Sequence, residues 1–346
     1  MRIAILLLAA APAVGADAGT VLPPPSPPPV EALRAAATCS AAREGISLLV
    51  LFDGRAVFEE YPNGGAAGRA HELASGTKSF SGVMAAAAVK DGLLRLDERV
   101  ADTIPEWRAD PRRAKVTVRQ LLGLTSGVRT GGERGRVPTY ADAVAAPFVD
   151  EPGRRFSYGA VPFQVFGELM RRKLAPLDEG PIEYLRRRVL DPVGLSVGRW
   201  RRGADGNPLL PSGAALTARD WAKLGELVRL GGLWRGLPLL DPAALDACFE
   251  GTPANPRYGL TWWLNRPIDP RLAATIPVVR RNASLEGVPG VPSDLVFAAG
   301  AGDQRLYVSR SRRLVVVRQA KGILRALRGE RSGFSDAEFL GLVFGR

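Results

Sequence analysis

The chain is 346 residues long, 46% hydrophobic, and carries a formal charge of +12 from 47 basic and 35 acidic side chains. Its apolar content, with regularly spaced Gly and Pro, excludes a disordered chain. The basic residues are interspersed with acids and form no recognition module, which argues against nucleic-acid binding.

Met1-Arg2, the apolar run Ile3 to Val14 and the small residues Gly15-Ala16-Asp17-Ala18 read as a signal peptide. The run is shorter than the ~20 residues that span a bilayer. Residues 1–16 are expected to be the signal, with cleavage after Ala16 or Ala18, and no cysteine follows to suggest a lipid anchor. Residues 17–38, which contain VLPPPSPPPV, are expected to be an extended proline-rich linker, and 39–346 the folded domain. No later segment is long and apolar enough to cross a membrane. The mature protein is therefore expected to be soluble, in the periplasm or secreted. In such an oxidising compartment a disulfide between Cys39 and Cys248 is expected, the alternative being two separate buried thiols.

GISLLVLFDGRAVFEEY predicts two strands around an Asp53-Gly54 turn. Helices are predicted over Ser79 to Lys90, stopping at Gly92, and over Val116 to Gly123, Val161 to Leu174 and Ala218 to Leu230. SDLVFAAG, QRLYVSR and RLVVVRQ read as three strands, followed by a closing helix capped by Ser335. Strands at both ends with helices between them predict an α/β chain of the α+β kind. One antiparallel sheet is built from both termini, with a helical lobe inserted and a cleft between the two.

Ser75 and Lys78 stand three apart in HELASGTKSFSGVMAAAAVKDGLL. A bare Ser-x-x-Lys pair is weak, since the serine and lysine counts give roughly 0.3 such pairs by chance. Here, however, Ser75 follows a short extended stretch and opens a helix, where free N–H groups favour negative charge. Lys78 lies one turn further on the same face. A lysine with an ordinary pKa is a poor base at neutral pH; buried in a cleft it loses its proton and can take one from serine. The bland alternative is an N-cap serine beside a solvated lysine.

The stretch ELASGTKSFSGVMAAAAVKDGLLRLDERVADTIPEW and then AKVTVRQLLGLTSGV resemble the serine beta-lactamase-related family of class C beta-lactamases, D,D-peptidase-like enzymes and esterases. The resemblance continues through EPGRRFSYGAVPFQVFGELMRRKL, RYGLTWWLNRP and FAAGAGDQRLYVSRSRRLVVVR, covering nearly all of the chain beyond the linker. It implies a beta-lactamase/transpeptidase-like fold and an acyl-enzyme serine hydrolase with no metal and no organic cofactor. It further implies that Ser75 is the nucleophile and that Lys78 shares its proton. Tyr158 would be a general base or return the proton, made easier to ionise by cationic neighbours. Gly300 matches the third motif, and the backbone N–H groups of Ser75 and Ala301 would form the oxyanion hole.

Two departures from the family pattern bear on substrate. Tyr158 is followed by Gly159-Ala160 where the family commonly has an asparagine two residues on, and the third motif reads Ala298-Ala299-Gly300 without its usual Lys or His. Both changes remove groups that recognise a carboxylate beside the reacting bond. The expected substrate is thus a small ester or an uncharged amide. D,D-peptidase or beta-lactamase action and a degenerate cell-wall-binding or partner-binding protein are the alternatives. Trp262 and Trp263 are candidates for the cleft wall. His71 lacks a carboxylate partner for a triad and reads as structural. Ser126-Gly127 reads as a helix stop, and Asn282-Ala283-Ser284 fits a glycosylation triplet.

Overall fold

The computed structural model describes residues 25–131, 136–281 and 290–345. The expected signal peptide, its cleavage site and the Asn282 triplet lie outside the described residues.

The first element is α1 (Val30–Ala42), followed by β1 (Gly45–Phe52) and β2 (Arg55–Glu60). Asp53 and Gly54 join the two strands with φ of 51° and 77°, the paired left-handed conformation that suits a two-residue hairpin. Next come β3 (His71–Glu72), a 3-10 helix over Ala74–Lys78, α2 (Ser79–Lys90), α3 (Val118–Leu122) and α4 (Val161–Leu174). The short strands β4 (Arg199–Trp200) and β5 (Ala214–Leu216) precede α5 (Ala218–Arg229) and the hairpin β6 (Leu233–Trp234) to β7 (Leu237–Pro238). The chain ends with α6 (Pro242–Ala247), β8 (Trp263–Leu264), β9 (Val296–Gly300), β10 (Gln304–Ser309), β11 (Leu314–Ala320), α7 (Ile323–Leu327) and α8 (Asp336–Val343).

Six of these strands form one antiparallel sheet in the order β2-β1-β11-β10-β9-β8, so the N-terminal hairpin pairs with the last strand of the chain. Strand alternation assigns its two faces. Val315, Leu306 and Val308 surround the point where Gly225 of α5 meets the sheet. On the opposite face Arg318 of β11 donates to Ser40 of α1, and Tyr307 of β10 stacks 6.0 Å from Phe339 of α8. The sheet is therefore covered on both sides, and its assembly from both termini with helices between is that of the predicted α+β class.

The predicted helices Ser79–Lys90 and Val161–Leu174 form over those residues. The α3 start is two residues later than expected because Thr117 closes a capping box with Gln120. Ser335 caps α8 as anticipated.

Two expectations need correction. Residues 30–38 are the first part of α1 and not linker: Leu33, Ala36 and Ala37 are buried. Cys39 and Cys248 are two separate buried thiols, not a disulfide. Cys39 lies in α1 on the outer face of the sheet, whereas Cys248 follows α6, which packs on α2 in the helical lobe. Burial pushes the Cys248 thiol up to about 12. Among the described residues no helix is long and apolar enough to cross a membrane.

Candidate active site

The chain enters the site on β3, whose His71 and Glu72 pair with β5. Ala74, immediately before Ser75, has φ +46°, a conformation that costs a non-glycine residue and clusters at functional turns. Hydroxyls brace the turn from inside. Thr77 Oγ1 donates to Ala74 O at 2.8 Å and accepts from Ala214 N at 3.2 Å, and Ser79 Oγ donates to Gly76 O at 2.8 Å. Trp221 of α5 presses from behind, so that a Cβ on Gly76 would lie 2.9 Å from its ring.

From this turn Lys78 reaches back to Ser75. Its Nζ donates to Ser75 Oγ at 2.8 Å and to Pro211 O at 3.0 Å, and it sits over the rings of Tyr158 and Phe163 at 5.0 and 5.4 Å. The residue is 4% exposed. Removing an ammonium from water without a balancing charge favours the neutral amine, and burial lowers the Lys78 pKa to about 7.

Tyr158 lines the same cleft as Ser75, close enough for the serine hydroxyl to favour its ionised form. The expectation that cationic neighbours make this phenol easy to ionise is corrected here. Burial outweighs both the Ser75 hydroxyl and the Arg305 charge and pushes Tyr158 up to about 12. Its ring packs among Phe156, Tyr258 and Trp263, where a phenolate would be poorly solvated. At neutral pH the lysine can accept a proton while the tyrosine keeps its own.

Gly300, at the end of β9, is the third part. A Cβ there would stand 2.0 Å from Leu73 O and 3.1 Å from Gly76 N, so only glycine lets the strand lie against the Ser75 turn. Ser75, Tyr158, Trp263, Gly300 and Ala301 all line one cleft of about 1280 Å³. The Ser75 N–H lies in the first turn of its helix, where no intrahelical acceptor exists. In the second motif a Cβ on Gly159 would meet Thr130 O at 2.3 Å, and Ala160 N donates to that same carbonyl at 2.9 Å. Close backbone packing thus occupies this side of the motif.

Arg305 stands opposite Ala299 in the β9–β10 register and is the nearest approach to a cation at the third motif. Its guanidinium is committed to Asp336, with Nε–Oδ1 at 2.7 Å and Nη2–Oδ2 at 3.1 Å. Asp336 also accepts from Tyr307 Oη. The charge is neutralised in place.

Trp262 does not belong to the cleft. It is wholly buried and packs edge-on against Phe249, because neighbouring residues at a strand point to opposite sides and Trp263 takes the cleft side. His71 Nε2 lies 2.8 Å from Ala320 O, tying β3 to the end of the main sheet. Sequence reasoning missed Pro211, whose carbonyl meets Lys78 across 133 positions. It also missed Gln164, which donates to Pro138 O at 2.8 Å and accepts from Leu210 N at 3.3 Å. No local pattern marks either one.

The family model described as Beta-lactamase matches residues 30–322. Monacolin J acid methylbutanoyltransferase of Aspergillus terreus is 29% identical over 153 residues, a match spanning 36% of this chain and 36% of that enzyme's length. A structure titled as a putative beta-lactamase from Bacteroides dorei DSM 17855 superposes with a TM-score of 0.71 at 18% identity, covering 91% of this chain and 97% of that one. EstCE1, titled as a hydrolase with promiscuous acyltransferase activity, gives a TM-score of 0.66 at 16% identity, covering 91% and 97%. At these identities the two superpositions establish the fold.

Proposed function

Because the chain belongs to the beta-lactamase family, whose members are serine hydrolases or acyltransferases acting on esters and amides, we propose that it is an exported serine hydrolase. It works through an acyl-enzyme on Ser75, on a small ester or an uncharged amide. The observation that carries this reading is the Lys78 amine, 2.8 Å from the Ser75 hydroxyl in a pocket that brings its pKa to about 7.

Neutral Lys78 takes the Ser75 proton as Oγ attacks the substrate carbonyl. The C–O bond forms, and the developing oxyanion faces the N–H groups of Ser75 and Ala301. Tyr158 gives its proton to the departing alcohol or amine and regains one from the Lys78 ammonium beneath its ring. Water then attacks the acyl-enzyme by the same route in reverse, and the acid leaves.

The substrate class follows from the cations. Ala298 and Ala299 offer none, and Arg305 is held by Asp336. A carboxylate next to the scissile bond therefore has no free partner at the third motif itself, Arg155 and Arg331 lining other parts of the cleft, which disfavours penicillins and D-alanyl termini. Export rests on residues 1–16 as a signal, with the mature protein in the periplasm or secreted; N-terminal sequencing of protein recovered outside the cytoplasm checks it.

The central test is labelling of folded protein with a fluorophosphonate and mapping the adduct by mass spectrometry. The adduct is expected on Ser75, with ester turnover abolished in Ser75→Ala. Unlabelled Ser75 together with undiminished turnover in Ser75→Ala would remove the enzyme reading. Muropeptide binding without hydrolysis, persisting in Ser75→Ala, would replace it with a binding protein. Rapid labelling by a fluorescent penicillin would return D,D-peptidase or beta-lactamase action to first place.

A further inference from the structure

The segment after β11 forms a lip on the cleft. Gly322, Arg325, Ala326 and Gly329 line it, so one side of α7 faces the site. The other side presents Leu324 and Leu327, 69% and 71% exposed, the most exposed large hydrophobic side chains among the described residues. They are three positions apart and therefore neighbours on the helix surface.

Lys321 and Arg328 flank these leucines and are exposed, while Arg331, also exposed, stands on the cleft lining. None makes an ion pair or side-chain hydrogen bond among the described residues. The acids of the segment are committed: Glu330 pairs with Arg325 at 2.8 Å, and Arg325 also holds Glu44 at 2.5 Å. What remains outward is a pair of leucines flanked by two unpaired cations, Lys321 and Arg328.

We propose that this lip docks on an anionic lipid surface and that the cleft takes its ester or amide from amphiphiles held there. The second half of that statement rests on the hydrolase reading above; the first does not. Leucines between two cations complement acyl chains beneath anionic headgroups. A second copy of the chain is a poorer partner, because a two-fold contact would set the same two cations against their own images.

The molecule supplies its own control. The β6–β7 hairpin exposes Leu233 and Leu237, but it follows the far end of α5. That helix starts beside Leu216, which accepts from Gln319 near the site. It ends beside the β1–β2 and β10–β11 turns, where Arg229 pairs with Asp53 and Arg310 donates to Val228 O.

The test is co-sedimentation of the full chain with phosphatidylcholine vesicles, with and without phosphatidylglycerol, at low and high salt. Ser75→Ala is run in parallel, so that binding is read independently of turnover. Binding is expected only with phosphatidylglycerol and is expected to weaken with salt. It should fall on the order of tenfold in Leu324→Ser/Leu327→Ser and in Lys321→Glu/Arg328→Glu, and stay unchanged in Leu233→Ser/Leu237→Ser. Turnover of a soluble ester should be the same in all three double variants, which shows them folded. Equal binding to both vesicle types, no binding to either, or undiminished binding by the lip variants overturns the proposal. So does a concentration-dependent dimer that the leucine substitutions abolish. If vesicle binding survives while Ser75 proves unreactive, the hydrolase reading fails and the docking surface stands.

Discussion

Lys78 holds its amine in a pocket whose hydrogen-bond acceptors are one hydroxyl and one carbonyl, and the pH dependence follows from that. With Lys78 near 7 and Tyr158 near 12, kcat/KM for a neutral ester should rise with pH through about 7. It should then stay level across the alkaline range in which the protein remains folded. Tyr158→Phe should lower kcat about 10²-fold or more and leave the limb near 7 in place. A limb that moves away with that substitution would transfer the base role to the phenol.

The same residue affects stability. Its folded pKa, about 7, is depressed below the ordinary lysine value of 10.5, so between about 7 and 10.5 the unfolded chain binds more protons and stability rises with pH. The destabilisation is fully present below pH 7, on the order of 5 kcal/mol. Lys78→Met should abolish ester turnover and yet raise stability near pH 6 by about 2 kcal/mol, after allowing for the unpartnered Pro211 carbonyl. Denaturant melts at pH 6 and pH 10 check this, with the gain shrinking at the higher pH.

Among elements, the junction of β9 with the Ser75 turn is the least forgiving. The atoms that a Gly300 side chain would strike are backbone and have no rotamer to escape into. Gly300→Ala should therefore cost at least 10²-fold in kcat and about 2–4 kcal/mol of stability. A variant with ordinary kcat would show that the turn tolerates displacement. Legibility from sequence also divides at this scale. α4 could be placed because its apolar residues recur at helical spacing, and α2 because a run of small helix formers ends just before Gly92. The start of α1 could not, since the preceding prolines dominate the local pattern while Leu33 is buried by distant β-structure. Trp262 and Trp263 carry the same propensity, and which of the two faces the cleft depends on how β8 docks on β9.

For the molecule as a whole, the N-terminal helix is a structural member. Arg318, fully buried in β11, donates to Ser40 Oγ at 3.0 Å and to Arg43 O at 2.6 Å, and Phe334 covers its guanidinium at 3.9 Å. A chain shortened to begin at Arg43 would lose Ser40 and the cover of Leu33, leaving a buried cation short of acceptors. Its melting temperature is expected to fall by about 5–7 °C, roughly 3–5 kcal/mol. A thermal melt that matches the full chain would show α1 to be an appendage.

The sequence by itself determined the strands at both ends and the main helices between them, the hairpin at Asp53-Gly54, the α+β class and the set Ser75, Lys78 and Tyr158 as candidates. These are written in short-range spacing, turn chemistry and motif order. Tertiary structure alone decided which groups meet: the Pro211 carbonyl on Lys78, Arg305 cancelled by Asp336, Trp263 in the cleft and Trp262 out of it. It also decided that Lys78 and not Tyr158 is poised to lose a proton. Ionisation is set by how much water and opposite charge surround a group in three dimensions, and residues far apart in the chain supply both.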